Sequence, residues 1–326
     1  MRNIAILSFS EKGAQLAERI AAGLNDCAVS CHVPRGNLSE LTEALFRDND
    51  ALIFVGACGI AVRAVAPYLR DKTRDPAVVV VDELGLHAIS LLSGHIGGAN
   101  ALAREIAEIT GAEAVITTAT DINRRFSVDE WARRNGLRIS SMQAAKRFSA
   151  EILLRDMPLI SDFPIERQLP KGVYFGEGGA VVSVHDRGAE LLLVPKILHL
   201  GIGCKRGTPE KRIAAAVDRL LTENCIAPDA VKAAASIDVK KDEVGLLDFC
   251  GERGIPIEFF SAEELRNVPG EFSASDFVRN AVGVENVCER AAMCSAGADA
   301  CLIVRKTCMD GVTAAVAQED WRVCFE

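Results

Sequence analysis

Several signatures that would name a chemistry outright are missing from this chain of 326 residues. None of its 11 cysteines forms a Cys-x-x-Cys pair, so the usual spacing for zinc or iron–sulfur ligation is lacking and no protein-bound metal is expected. An odd cysteine count without a secretion signal also argues against a disulfide framework, and the thiols read mostly as small buried hydrophobes. The N-terminus, Met1–Leu7, reads as a strand with no signal-peptide core or cleavage site, and no apolar run approaches the roughly 18 residues a membrane helix needs. A cytoplasmic protein without a membrane partner is expected. Excess positive charge is lacking too: with 37 Lys and Arg against 45 Asp and Glu, a net charge of −8 and a pI near 5.3, no basic field dominates to meet nucleic acid.

Nucleotide motifs are absent as well. There is no Gly-x-x-x-x-Gly-Lys-Ser/Thr run, and Gly201-x-Gly203-x-x-x-Gly207 misses the third glycine of a dinucleotide fingerprint by one place. No Gly-x-Ser-x-Gly elbow presents a nucleophilic serine.

What remains is an ordinary globular composition, 49% hydrophobic and 25% charged, over a length that allows two or three domains. Residues 1–139 alternate strand and helix: strands at 4–8, 27–33, 51–55, 77–81, 86–92 and 114–117, with helices between them and Ser39 as an N-cap. This alternation predicts an α/β domain around a mostly parallel sheet. Residues 140–195 change texture, with one helix and then short strands between Pro, Gly and charged turns, and predict a small α+β middle segment. Residues 196–326 return to α/β order and predict a C-terminal α/β domain, in which Thr208 caps a helix opened by Pro209.

The chain is organised around Leu91-Leu92-Ser93-Gly94-His95-Ile96-Gly97-Gly98-Ala99-Asn100. It joins a strand to a helix whose inward face carries Ala99, Leu102, Ile106 and Ile109. Gly94, Gly97 and Gly98 permit a tight turn and close approach of a ligand, and the helix start offers amide groups to an anion. A plain strand-to-helix turn, satisfied by its own polar residues, is the alternative. In parallel sheets ligands sit beyond the carboxyl ends of the strands. Those ends carry Gly56–Gly59, Asp82-Glu83, Ser93–Asn100 and Thr117–Asp121, and they are expected to line one crevice. His95 is the candidate base for activating water, with Asp82, Glu83, Asp121 and Glu243 as other bases and loop amides as oxyanion donors. Ser93, two residues from His95, is the weaker candidate nucleophile. Arg63, Lys72 and Arg74, with Lys205-Arg206 beside a glycine turn, could make positive ground for a polycarboxylate; exposed surface charge is the alternative.

Several stretches resemble successive motifs of the CbiG family of cobalamin biosynthesis proteins. They are residues 55–67, Lys72-x-x-Asp75-Pro76-Ala77-Val78, Val81-Asp82-Glu83-x-Gly85, residues 89–100 and Thr117-Thr118-Ala119-Thr120-Asp121. In the C-terminal third the resemblance rests on residues 200–207, Ser236-Ile237-Asp238-x-Lys240-x-Asp242-Glu243 and residues 287–292. Such a resemblance implies a cobalt-precorrin-5A hydrolase that opens a δ-lactone, expels acetaldehyde and gives cobalt-precorrin-5B. The cobalt is carried by the substrate and no further cofactor is implied. A non-catalytic carrier of corrinoid intermediates is the alternative. Partners would be the tetrapyrrole and other corrin-pathway enzymes. By their chemistry, and not by the resemblance, His95, Ser93, Asp121 and Glu83 are the catalytic candidates. Gly56, Cys58, Gly59, Arg63, Lys72, Gly94, Gly97, Gly98, Asn100, Thr117, Thr118, Gly203, Lys205, Arg206, Lys240 and Glu243 are substrate-binding candidates.

Overall fold

The apolar strands near the N-terminus bury both of their faces, and their alternation shows why. In the computed structural model, which describes residues 1–71, 74–95, 97–274 and 283–325, Ile4, Ile6, Ile53, Val55, Val79 and Val81 face one core. Leu7, Leu52, Phe54, Val78 and Val80 face another. Successive side chains of a strand point to opposite faces, so a continuous apolar run suits a sheet covered on both sides. Lys72, one of the binding candidates, lies outside the described residues.

The chain divides into two compact units, Met1–Arg133 with Ser149–Arg155, and Arg134–Phe148 with Asp156–Glu326. The first holds β1 (Arg2–Ser8), α1 (Glu11–Gly23), β2 (Cys27–His32), α2 (Leu38–Asp48), β3 (Ala51–Val55), α3 (Cys58–Val65), β4 (Ala77–Val81), β5 (His87–Leu92), α4 (Ala99–Thr110), β6 (Glu113–Val115) and α5 (Ala119–Ile122), with α6 (Val128–Arg134) at its end. Leu16, Ala17 and Ile20 of α1 and Leu102, Ala103 and Ile106 of α4 close the first core. Phe46 of α2 and Ala61, Ala64 and Val65 of α3 close the second. Asn37, not Ser39, caps α2, its side chain accepting from the Ser39 amide at 3.1 Å.

The strand order is β2-β1-β3-β4-β5-β6. All neighbours are parallel except β4 and β5, which pair antiparallel with Val78 opposite Leu92 and Val81 opposite Ala88. The turn between them is built on Asp82, whose carboxylate accepts from the amides of Leu84, Leu86 and His87 at 3.0, 3.0 and 2.6 Å. Gly85 completes it at φ +69°, where a side chain would be strained.

This one hairpin corrects the expectation of a single crevice. The carboxyl ends of β1, β3 and β4 open at one edge of the sheet. Those of β5 and β6 open at the opposite edge. The Ser93 and Thr117–Asp121 segments therefore lie together, and Gly56–Gly59 and Glu83 lie away from them.

The second unit contains two sheets. β7 (Arg138–Ile139), β8 (Met157–Ser161), β9 (Val173–Phe175), β10 (Ala180–Val182) and β11 (Leu191–Val194) form the order β7-β11-β10-β8-β9, parallel throughout except for β7; α7 spans Met142–Glu151. The other sheet has the order β14-β13-β12-β16-β15, from β12 (Leu198–Cys204), β13 (Val231–Ile237), β14 (Ile257–Phe260), β15 (Cys301–Met309) and β16 (Val312–Gln318). Its helices are α8 (Glu210–Glu223), α9 (Val244–Arg253), α10 (Ala262–Asn267) and α11 (Cys288–Ala296). Gly201 is packing rather than fingerprint: a Cβ there would sit 1.7 Å from the Cys288 carbonyl oxygen, so its absence lets α11 lie on β12. α8 starts at Glu210 with Pro209 in the cap position, while the Thr208 hydroxyl donates to the Lys205 carbonyl at 2.7 Å. No helix among the described residues is long and apolar enough to cross a membrane.

Candidate functional site

At the edge where β5 and β6 end, polar side chains from β5, the turn after it, α4 and the segment entering α5 meet around Asp121. Asn100, in the first turn of α4, is 1% exposed, a burial that requires its amide to be satisfied. It accepts from Ser90 Oγ at 2.7 Å and donates to Thr118 Oγ1 at 2.9 Å and Asp121 Oδ2 at 3.0 Å. The Thr118 hydroxyl donates to the same Asp121 oxygen at 2.6 Å. Arg104, one helical turn beyond Asn100, donates to Asp121 Oδ1. The fourth partner is His95, whose Nε2 is 3.0 Å from Asp121 Oδ2 and 3.1 Å from Thr120 Oγ1.

The other imidazole nitrogen faces a second acid. Nδ1 of His95 lies 3.5 Å from Oδ1 of Asp129, which also accepts from Ser127 Oγ at 2.9 Å. Burial of His95 opposes its charge, yet the hydrogen bonds and charges of Asp121 and Asp129 outweigh it and raise the imidazole to about 9. Asp121 is likewise penalised by burial, but His95, Thr118 and Arg104 hold it well below the usual carboxylate range. At neutral pH the centre is therefore an imidazolium between two acids. A value raised this far favours His95 as a proton donor before it acts as the expected base.

The glycines of the turn serve this geometry. A Cβ on Gly94 would meet Asn100 Oδ1 at 2.7 Å, and one on Gly97 would meet Ser93 Cβ at 2.4 Å. Gly98 sits at φ +87° beneath the Arg133 guanidinium. Of the amides at the start of α4, those of Gly98, Ala99 and Asn100 donate to the carbonyls of His95, Ser93 and Gly94 at 3.0–3.1 Å. The turn itself thus takes up three of the amides expected to face an anion. Ser93 is held at φ +56° with its hydroxyl buried and unpartnered among the described residues, so it is not presented as a nucleophile. Thr117 is exposed and stands outside the network.

The remaining candidates lie elsewhere. Glu83, at the opposite edge, accepts from Ser10 Oγ, which caps α1. The Gly56 amide donates to Val81 O at 2.8 Å, and Arg63 folds back onto the Gly59 carbonyl at 3.1 Å beside Cys58 at the start of α3. In the second unit, buried Glu243 accepts from the Gly207 amide at 2.6 Å and from Lys240 at 3.2 Å. Arg206 is exposed and paired with Asp242. Gly203 lies against Thr313, and exposed Lys205 covers Gly311. The open groove of about 510 Å³ beside Arg206 is also lined by Glu210, Asp242, Glu243 and Asp248, an acidic setting for a polycarboxylate. Residues that sequence reasoning did not single out are Ser90, Arg104, Thr120, Asp129 and Glu130. Arg104 carried a signal, four residues after Asn100 on one helical face.

Ligand atoms of His95, Asp121 and Glu130 lie within 4.8 Å of one another, a spacing that would fit a cation. Both Asp121 oxygens, however, already accept from Arg104, His95, Asn100 and Thr118. The donor set suits a held carboxylate better than a metal ligand.

Fold and centre together define an α/β protein with a half-enclosed cluster of His, Asp, Asn, Thr and Arg side chains at one end of its first sheet. Residues 40–121 match the family described as Cobalamin synthesis G N-terminal, and residues 198–317 match Cobalamin synthesis G C-terminus. A relative in Salmonella typhimurium, named Cobalt-precorrin-5A hydrolase, is 36% identical over 87% of this chain and 89% of its own. One of the same name in Priestia megaterium is 33% identical over 83% and 79%. A solved cobalamin biosynthesis protein G homolog from Sulfolobus solfataricus aligns over 97% of both chains at 23% identity, with a TM-score of 0.45. The chain belongs to the CbiG family of cobalamin biosynthesis proteins.

Proposed function

We propose that this chain is a cytoplasmic cobalt-precorrin-5A hydrolase of cobalamin biosynthesis, with its reacting centre at His95 and with cobalt entering only as part of the tetrapyrrole. The names and coverage of its relatives support the activity. The observation that supports the site is the half-enclosed His95 imidazolium, its side chain 17% exposed, between Asp121 and Asp129.

The chemistry needs one group that gives a proton and then takes one back. Water adds to the lactone carbonyl, its proton passing to the Glu130 carboxylate, and the imidazolium charge steadies the oxyanion that forms. Collapse breaks the ring C–O bond. The departing alkoxide takes a proton from His95, leaving a free hydroxyl and a carboxylic acid that loses its proton to solvent to become the carboxylate. Nδ1 is the side a substrate oxygen can take over, because its contact with Asp129 is the longer one at 3.5 Å. Neutral His95 then removes the hydroxyl proton. The C–C bond breaks, its electron pair enters the conjugated macrocycle, and the two-carbon unit leaves as acetaldehyde. A proton returns to the ring carbon to give cobalt-precorrin-5B. Asp121 stays ionised throughout, holding the ring and favouring its recharging.

The test is to incubate purified protein with cobalt-precorrin-5A and trap acetaldehyde. Stoichiometric release with conversion to cobalt-precorrin-5B is the expected result. Tight binding without acetaldehyde would instead identify a carrier of corrinoid intermediates.

A further inference from the structure

The geometry points to Arg104 as the receptor for a substrate carboxylate beside the reacting centre, the acid that lactone opening creates. This rests on the hydrolase reading above and adds to it a recognition element.

Three observations carry it. Arg104 is anchored by one end only: an Nη2 hydrogen bond to Asp121 Oδ1 is its one polar partner among the described residues. Its side chain is 42% exposed while Asp121 is 13% exposed, so the guanidinium passes from the buried network to the surface. A guanidinium has a planar fork of donors matched to a carboxylate, and the edge not used by Asp121 has no partner among the described residues. The second observation is the balance of charge. Asp121, Asp129 and Glu130 crowd this centre with acids. A polyanionic substrate meets there the His95 imidazole and the Arg104 guanidinium, both held by Asp121, with the Arg133 guanidinium against Gly98 of the same turn. The third is placement. His95 and Arg104 bond to different oxygens of the same Asp121 carboxylate, so the guanidinium and the imidazole are held by one acid. Hydrolysis turns a neutral lactone into a carboxylate at that point, and a fork already aligned by Asp121 meets it without reorganising.

Replacement by lysine keeps a positive charge against Asp121 but loses the fork, whereas glutamine loses both. The experiment compares wild-type, R104K and R104Q protein for affinity toward cobalt-precorrin-5A, toward the product cobalt-precorrin-5B, and toward the product with its peripheral acids methyl-esterified. Acetaldehyde release is measured alongside. Wild-type protein is expected to prefer acid to ester by at least about tenfold. R104Q is expected to lose that preference, and R104K to lose most of it while its pH profile and melting temperature stay near wild-type. A purely structural role would lower melting temperature without changing the ratio of acid to ester affinity.

An unchanged ratio in R104Q would overturn the assignment. If wild-type protein binds the acids and releases no acetaldehyde, the hydrolase reading fails, while Arg104 is still judged by the ratio. If wild-type protein binds none of the three compounds, both readings fail.

Discussion

Nε2 of His95 lies 3.0 Å from Oδ2 of Asp121, an oxygen that also accepts from Asn100 and Thr118. The aspartate is thus fixed by three other side chains before it touches the imidazole, and the imidazole is fixed by the aspartate. An acid–base group oriented in this way pays little reorganisation on reaching the transition state.

The pH dependence follows from the pair. The His95 value is raised to about 9, above the ordinary imidazole value of about 6.5. Its stabilising contribution is therefore complete below about pH 6.5 and is lost as pH rises through about 9, and turnover that starts with the imidazolium falls over the same limb. Asp121 is depressed, so its contribution persists below the usual carboxylate range and disappears only as pH falls through its own low value. The check is an imidazole NMR titration with acetaldehyde release measured across the same range.

Substituting D121N removes the charge that Arg104 and His95 both use. The His95 value is expected to fall toward about 6.5, carrying the alkaline limb of activity with it. Stability should drop by about 1–3 kcal/mol, because one of the two oxygens becomes an amide NH2 that cannot accept from Arg104 on one side or from Asn100 and Thr118 on the other. Urea unfolding and the pH profile read the two effects separately.

Glu83 lies at the other edge of the sheet, where it meets Ser10. E83Q is expected to leave the pH profile of acetaldehyde release unchanged, with at most about 1 kcal/mol lost from the exposed contact at the start of α1. A collapsed alkaline limb in this variant would place Glu83 in the reaction after all.

S93A removes a buried hydroxyl that has no partner among the described residues. Turnover within roughly twofold of wild-type is expected, with stability unchanged or raised by up to about 1 kcal/mol. Loss of turnover with intact folding would reinstate the serine as a nucleophile.

G201A tests the C-terminal sheet. Its Cβ would fall 1.7 Å from a backbone oxygen of α11, so the helix must move off β12. About 3 kcal/mol or more should be lost, read as a lower melting temperature.

Much of the fold was legible because apolar runs such as residues 51–55 and 77–81, each followed by glycine or acid, read as buried strands. The direction of β5 was misread, although the signal was present. Only Asp82–Leu86 separates β4 from β5, too few residues for a parallel crossover of a dozen or more, so a hairpin was the available solution. That reversal, invisible to hydrophobic period alone, divides the glycine-rich strand ends between two edges. His95, Asn100, Thr118 and Asp121 were readable because strand-to-helix turns collect polar ligands. Asp129 and Glu130 were not, since acids in the first turn of a helix usually serve its dipole. The raised value of His95 was out of reach as well, because it depends on two acids far along the chain, Asp121 and Asp129.

The most direct test is acetaldehyde release from cobalt-precorrin-5A by H95Q beside wild-type protein, measured at saturating substrate from about pH 6 to pH 10. The account predicts a loss of roughly a hundredfold or more in turnover, disappearance of the limb near 9, and retained affinity for the tetrapyrrole. Turnover within a few-fold of wild-type, with the same alkaline limb, would contradict it.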